Sequence, residues 1–170
     1  MNCPSCGQEN IDGTDRCDNC LAPFRDLDVP RADSSEGLAR SVMEDNLGRL
    51  EQEQTITVVP ETPVLDVVHL MRRANSGCAL VVDGGKLAGI FTEHDVLNKM
   101  TGADARSPAT AVKDLMSPNP EVLHEQDSVA SALNKMSMGR YRHIPVKNND
   151  GSYTVASIKN LLLYIAKEDW

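Results

Sequence analysis

The feature that most restricts the fold of this chain is an internal repeat with a period of 65 residues. A shift of 65 residues superposes the two halves without a gap: VLDVVHLM (64–71) falls on VASALNKM (129–136), and GIFTEHDVL (89–97) falls on TVASIKNLL (154–162). Self-similarity at a fixed period indicates that one structural unit is used twice. A unit of about 60 residues buries too little surface alone, so the two units are expected to pack together.

The order of predicted elements is the same in both halves. A short β-branched run precedes an amphipathic helix, whose apolar residues recur at three- to four-residue spacing. Two strands follow, joined by a turn-forming sequence at 83–85 or 148–151, and a second helix begins at Thr92 or Ser157. We therefore predict a mixed α/β (α+β) fold, with tandem β-α-β-β-α repeats packed sheet to sheet as a pseudo-two-fold pair.

Two stretches carry a family resemblance. GIFTEHDVLNKM (89–100) and RHIPVKNNDGSYTVASIKNLL (142–162) resemble the signature segments of CBS domains, which occur as tandem pairs called Bateman modules. The resemblance implies a non-catalytic regulatory module that binds adenosine-containing ligands (AMP, ADP, ATP or S-adenosylmethionine) in clefts between two repeats. It also implies a homodimer. On this basis repeat 1 is expected to span 50–106 and repeat 2 to span 107–170.

Thr92 and Asp95 are the main candidates for ligand binding. Thr92 stands where an extended run meets a helical pattern, so it is a predicted N-cap with Asp95 as the acidic partner of a capping box. The resemblance implies that the hydroxyl contacts a nucleotide and that the carboxylate accepts hydrogen bonds from ribose hydroxyls. The second repeat keeps the hydroxyl in Ser157 but has Asn160 in place of the acid. We therefore expect two unequal sites, of which the first is the stronger.

Two further runs complete the predicted ligand site. The first is apolar and is expected to line the base pocket, and the second is basic and is expected to meet phosphate: Ala79, Leu80 and Val81, then Arg140, Arg142 and His143. The alternatives are a plain core strand and a solvated loop. Catalysis is not expected, because Glu93 and His94 are neighbours in sequence and adjacent helical positions do not face each other. Both are expected to lie on the surface.

The first twenty residues contain four of the five cysteines, arranged as two C-x-x-C pairs. Cys3, Cys6, Cys17 and Cys20 together offer the four soft ligands of a closed tetrahedral Zn²⁺ site. A pair of redox-active couples is the alternative interpretation. The block 1–25 resembles the small rubredoxin-like zinc ribbons, which implies a structural metal and a surface for docking to a protein partner or to nucleic acid.

Residues 26–49 contain Pro, Ser, Gly and alternating charges, and are predicted to be a linker that becomes a short helix around 37–50. The apolar runs are too short to span a membrane, and the N-terminus MNCPSC lacks the pattern of a signal peptide. A cytoplasmic location is therefore expected.

The net charge of −8 argues against a chain whose main task is to hold nucleic acid. Two alternatives to ligand sensing nevertheless stay open at this point. One is a nucleic-acid-associated protein in which the ribbon makes the contact and the repeats only dimerise it. The other is a purely structural dimerisation module with degenerate ligand sites.

Overall fold

The computed structural model describes residues 8–10, 17–20, 38–51, 54–101 and 105–167. Five helices and seven strands occur in these ranges: α1 (Leu38–Glu44), β1 (Thr57–Val58), α2 (Val64–Ala74), β2 (Cys78–Asp83), β3 (Lys86–Thr92), α3 (Glu93–Lys99), β4 (Ser117–Pro118), β5 (Leu123–His124), α4 (Val129–Gly139), β6 (His143–Lys147), β7 (Tyr153–Ser157) and α5 (Ile158–Lys167). Two short 3₁₀ turns lie at Leu47–Arg49 and Val112–Asp114. None of the described helices is long and apolar enough to cross a lipid bilayer.

The strands form two small sheets, one in each half. The first has the order β1-β2-β3-β4 and the second the order β5-β6-β7. In both, the first strand runs parallel to the second, and the second pairs with the third as an antiparallel hairpin. The predicted mixed fold and the predicted β-α-β-β-α order are therefore confirmed. The short strand β4, which extends the first sheet, was not predicted.

The hairpin register positions the two predicted N-caps. In the first sheet Cys78 opposes Thr92, and in the second sheet His143 opposes Ser157. Each hydroxyl residue is thus the last residue of a central hairpin and also the residue before a helix. The turn between β2 and β3 uses Gly84 and Gly85 at positive φ, a conformation that glycine adopts without steric cost.

The two sheets face each other across a shared apolar layer. Cys78, Leu80 and Ile90 of the first sheet form a buried cluster, against which Tyr153 and Val155 of the second sheet are packed. Sheet-to-sheet packing was expected, because neither half buries enough apolar surface on its own.

The segment before each half packs on the opposite half. Leu47 and Leu50 precede β1 but belong to the core of the second half, whereas Val112 and Leu115 precede β5 but belong to the core of the first half. Matching backbone bonds hold the two segments: the N–H of Val129 donates to Asp45 O (2.9 Å), and that of Val64 donates to Thr110 O (2.8 Å).

This exchange corrects the predicted linker 26–49. Residues 38–49 are not a free connection, because they form α1 and a 3₁₀ turn whose apolar residues Val42 and Leu47 pack against the second core. The predicted helix around 37–50 is present as α1, but it ends earlier, at Glu44. Residues 26–37 lie outside the described residues. The repeat boundaries in sequence thus differ from the boundaries of the two cores in space.

Candidate functional site

The helix α3 begins with a complete capping box. The backbone N–H and the hydroxyl of Thr92 both donate to Asp95 Oδ2 (2.9 and 2.8 Å), and the N–H of Asp95 donates to Thr92 Oγ1 (3.4 Å). The predicted N-cap is therefore confirmed. This arrangement satisfies helix N–H groups that have no partner within the helix, and it fixes the Asp95 carboxylate at the end of the strand.

The second oxygen of Asp95 is paired with a cation. Lys99, one turn along α3, donates from Nζ to Asp95 Oδ1 at 2.7 Å and also to the carbonyl oxygen of Leu115. The Asp95 side chain is only 8% exposed. Since an isolated charge at this depth is costly, the ion pair with Lys99 compensates for the burial of the carboxylate.

The matching cap on α5 uses Ser157 and Asn160. Both the backbone N–H and the hydroxyl of Ser157 donate to Asn160 Oδ1, and the N–H of Asn160 donates to Ser157 Oγ at 3.1 Å. The difference from the first half lies in the amide nitrogen. Asn160 Nδ2 donates to the carbonyl oxygen of Glu51 at 3.0 Å, whereas a carboxylate has no hydrogen to donate.

A cleft of about 560 Å³, here called the open cleft, lies at the Thr92 cap. Its walls come from the start of α3, from the segment around β4, and from the loop between α4 and β6. The described residues that line it are Ile90, Thr92, Glu93, His94, Asp95, Leu97, Ser117, Pro120, Glu121, Arg140, Tyr141, Arg142, His143 and Pro145. This volume lies in the range of sites for small organic ligands.

The matching space at the Ser157 cap, here called the closed cleft, has a volume of only about 10 Å³. Its described lining residues are Gln54, Thr55, Ile56, Ser76, Cys78, His143, Val155, Ser157 and Asn160. All of them except Gln54 and His143 are related by the 65-residue repeat to residues that line the open cleft. A space of this size holds about one water molecule. The two clefts of the pair are therefore unequal in volume, whereas the predicted difference in ligand binding stays a prediction.

The open cleft brings together five of the predicted ligand-binding residues. Arg140, Arg142 and His143 lie on one wall, opposite Thr92 and Asp95, so the basic run is not a remote solvated loop. Ser157 and Asn160 lie in the closed cleft, which His143 also lines.

The predicted apolar wall of the base pocket needs correction. Ala79, Leu80 and Val81 are completely buried in the central strand β2. None of the three lines the open or the closed cleft. Their side chains are used for packing within the first half and between the sheets, as the plain-strand alternative stated. The apolar floor of the open cleft comes instead from Ile90 and Pro145.

Five polar residues that line the open cleft were not among the predicted site residues: Glu93, His94, Ser117, Glu121 and Tyr141. Glu93 and His94 are exposed, as expected, but they line the cleft. Glu121 and Tyr141 come from two separate segments, and the phenol of Tyr141 donates to Glu121 Oε2 at 2.8 Å. The 65-residue shift places them over Ile56 and Ser76, but only the structure shows that these two residues line the closed cleft, so the sequence alone contains no signal for either.

Burial and the contact with Glu121 both change the pKa of Tyr141. Burial, followed by the hydrogen bond to the Glu121 carboxylate and its charge, raises the pKa of Tyr141 to about 12. The phenol therefore stays a neutral hydrogen-bond donor at physiological pH. A raised pKa favours the folded state while the phenol is protonated, so this contribution is lost only as the pH rises from about 10 to about 12.

The described residues include two of the four predicted zinc ligands, Cys17 and Cys20, whereas Cys3 and Cys6 lie outside them. Over the described ranges no three His, Cys, Asp or Glu side chains come together as a metal site. The Cys17 side chain is fully buried, and its sulfur accepts hydrogen bonds from the Asn19 backbone N–H (3.4 Å) and from Asn10 Nδ2 (3.7 Å).

Comparison with known proteins gives similar pairs in several organisms. A structure described as a putative signal-transduction protein with CBS domains, from Burkholderia ambifaria, is 30% identical, with a TM-score of 0.62 over 70% of this chain and 88% of that chain. A CBS domain-containing protein of Arabidopsis thaliana, CBSCBSPB3, is 26% identical over 77% of this chain but only 22% of its own length. The chain thus spans about a fifth of the curated relatives that it matches first.

Two similar folds were solved with ligands bound. CBSX2 in complex with AMP superposes with a TM-score of 0.59 at 21% identity, over 72% of this chain and 96% of that one. The CBS domain pair of protein MJ0100 in complex with 5′-methylthioadenosine and S-adenosyl-L-methionine superposes with a TM-score of 0.63 at 19% identity, over 73% and 98%. At these identities the similarity shows the fold alone.

The family model for the CBS domain matches this chain twice, at residues 39–102 and at residues 112–163. Both matches begin before the first strand of a half and include the segment that packs on the opposite core. Together with the two β-α-β-β-α units and the paired clefts, they show that the chain belongs to the CBS domain family and contains a tandem CBS pair.

Proposed function

We propose that this CBS pair is a ligand-sensing regulatory module that binds one adenosine-containing molecule in the open cleft. The observation that carries the proposal is the juxtaposition of the Thr92–Asp95 cap with Arg140 and Arg142 across a cleft of about 560 Å³. A nucleotide presents ribose hydroxyls and an anionic group at separate points, and the two walls offer matching partners for both. The AMP and S-adenosyl-L-methionine complexes of similar folds support this choice of ligand class.

Each wall has a chemical task in this proposal. Asp95 accepts hydrogen bonds from ribose hydroxyls while Lys99 holds its other oxygen, and a carboxylate acceptor makes a stronger hydrogen bond than a neutral one. The planar base packs on the apolar floor at Ile90 and Pro145. Arg140 and Arg142 meet a phosphate or a carboxylate, because a guanidinium group binds either of them through two parallel hydrogen bonds.

The same geometry suggests how binding becomes a signal. One wall of the open cleft belongs to α3 of the first half and the other to the α4–β6 loop of the second half. A ligand that bridges them favours the relative position of the halves in which both walls make contact, and so shifts the population of states. The proposal assigns no reaction to the chain, and it places the protein in the cytoplasm.

Calorimetric titration with AMP, ADP, ATP and S-adenosylmethionine tests this function. We expect binding of at least AMP or S-adenosylmethionine, with a stoichiometry of one ligand per chain because the second cleft is closed. Absence of binding by all four ligands would overturn the proposal. Inosine monophosphate is a useful control, because it keeps the ribose and the phosphate and changes only the base.

We also propose that Cys3, Cys6, Cys17 and Cys20 hold a structural Zn²⁺ that docks this region on a protein partner. The environment of Cys17 supports the proposal, because its sulfur is buried and accepts hydrogen bonds from two N–H groups, and such contacts orient the ligands of metal sites. Four thiolates leave no coordination position for water, which is the composition of structural sites. A reducing compartment such as the cytoplasm keeps these thiols available for the metal.

The metal content of the purified protein tests the zinc site. Protein prepared under reducing conditions is expected to contain one zinc per chain, and Cys17→Ser is expected to lose most of it because one of four ligands is removed. Cys78→Ser is the matched control, since Cys78 lies in the packed layer between the sheets. Zinc-free wild-type protein would contradict the proposal.

We propose as a third part of the function that the chain forms a homodimer. The alternative of a purely structural dimerisation module requires a dimer as well. Leu97 and Leu162 are equivalent under the repeat, and their side chains are 64% and 58% exposed on α3 and α5. A two-fold interface needs a self-complementary patch, and paired leucines supply one. Light scattering is expected to give a dimer for the wild type and a monomer for Leu162→Glu. Val59→Glu, at a position 60% exposed, is the control that leaves the dimer intact.

A further inference from the structure

The segment that precedes the first half is hydrogen-bonded to α5 beside the closed cleft. Asn160 is 4% exposed and all of its side-chain groups are engaged: Oδ1 accepts from Ser157, and Nδ2 donates to the carbonyl oxygen of Glu51 at 3.0 Å. Glu51 ends the segment that precedes the first half and packs on the second. Gln54, Thr55 and Ile56 follow within five residues and form one wall of the closed cleft.

A second side chain of α5 holds the same segment. The phenol of Tyr164 donates to Asp45 Oδ2 at 2.6 Å. Thus Asn160 and Tyr164, one turn apart on the helix, hold the two ends of residues 45–51. The buried Leu47 and Leu50 lie between these contacts.

The first half shows the same positions without this closure. The repeat places Asp95 over Asn160, Lys99 over Tyr164 and Met116 over Glu51. Lys99 donates to Asp95 and to the carbonyl oxygen of Leu115, but the carboxylate of Asp95 has no N–H to donate to a backbone carbonyl. The cleft beside Asp95 is open, and the cleft beside Asn160 is not.

We propose that Asn160 determines which of the two clefts is accessible to ligand, by fixing the Glu51 carbonyl and with it the 54–56 wall. A ligand then enters the closed cleft only when the 54–56 wall moves away. The identity of the ligand in this inference rests on the proposed function. The contact between Asn160 and Glu51 does not, so its effect is measurable without any ligand.

Hydrogen exchange on Asn160→Asp tests the contact. The substitution keeps the size and the cap to Ser157 but sets a carboxylate oxygen against a carbonyl oxygen, so the hydrogen bond is lost and replaced by repulsion. Backbone amides of residues 45–51 are expected to exchange about tenfold faster or more. Asn98→Asp, the same change at an exposed site on α3, is the matched control and leaves these amides unchanged. Unchanged exchange in Asn160→Asp would overturn the proposal.

A measurement on the wild type keeps the proposal testable if the variant fails to fold. The side-chain amide protons of Asn160 are expected to exchange at least tenfold more slowly than those of the exposed Asn98. Equal rates for the two side chains would overturn the inference. This readout depends on neither the substitution nor a ligand.

Titration with AMP then links the contact to binding. The wild type is expected to bind one AMP per chain and Asn160→Asp to bind a second, because its 54–56 wall is released. An unchanged stoichiometry of one in the variant would overturn the role of Asn160 in access. If neither protein binds AMP, ADP, ATP or S-adenosylmethionine, the proposed ligand class fails, while the exchange measurements still decide whether the Asn160–Glu51 contact exists.

Discussion

Asp95→Ala is expected to lower the affinity of the CBS pair for AMP by about tenfold to a hundredfold. The carboxylate is fixed by hydrogen bonds from Thr92 and Lys99, so its remaining lone pairs form an acceptor already oriented for ribose hydroxyls. Hydrogen bonds to charged groups contribute about 1.5–3 kcal/mol each, and about 1.4 kcal/mol corresponds to a tenfold change in affinity. Calorimetry on the folded variant measures the effect.

The control for this experiment separates charge from position. Asp66→Ala removes the same charge from an exposed site in the first turn of α2 and is expected to leave AMP affinity unchanged. The loss of the Asp95 cap destabilises α3 by about 1 kcal/mol, so a melting curve verifies that the variant is folded during the titration. Unaltered AMP binding by Asp95→Ala would show that the ribose is held elsewhere.

Leu47→Ala is expected to lower the free energy of unfolding by about 2–5 kcal/mol, the usual cost of removing a leucine side chain from a core. Leu47 precedes the first strand but is only 4% exposed in the core of the second half, beside residues such as Leu123 and Ile144. Urea denaturation monitored by circular dichroism measures the change.

Val59→Ala provides the comparison, because Val59 is 60% exposed. Surface substitutions of this kind usually change stability by less than about 0.5 kcal/mol. Equal stability of the two variants would show that the segment with Leu47 is not part of the second core. The described packing of each preceding segment on the opposite half would then be wrong.

Local pattern was sufficient to predict the repeated elements and the Thr92 cap. Helical spacing, turn residues and capping residues are local signals that involve about four to ten neighbouring positions. The gapless 65-residue shift shows the same signals in both halves. The basic run at Arg140 and Arg142 lines the open cleft beside the cap, and its contact with a ligand stays a prediction.

The rest depended on contacts that periodicity does not contain. Asn160 bonds to Glu51 across 109 positions, so its role in closing one cleft has no local signal. The sequence of Ala79, Leu80 and Val81 fits either a core strand or the wall of an apolar pocket, because core strands and apolar pockets have the same kind of residue. Only the position of the opposite sheet decides between the two. Residues 38–49 have the composition of a linker, and only the structure shows that their apolar residues pack on the core of the second half.

Because the segment before each half packs on the opposite core, the chain cannot be cut into two fragments that each keep a complete core. A fragment cut after residue 106 would lack Val112 and Leu115 from its core, and the remaining fragment would lack Leu47 and Leu50. Neither repeat is therefore a self-sufficient domain, although each is a complete unit of sequence.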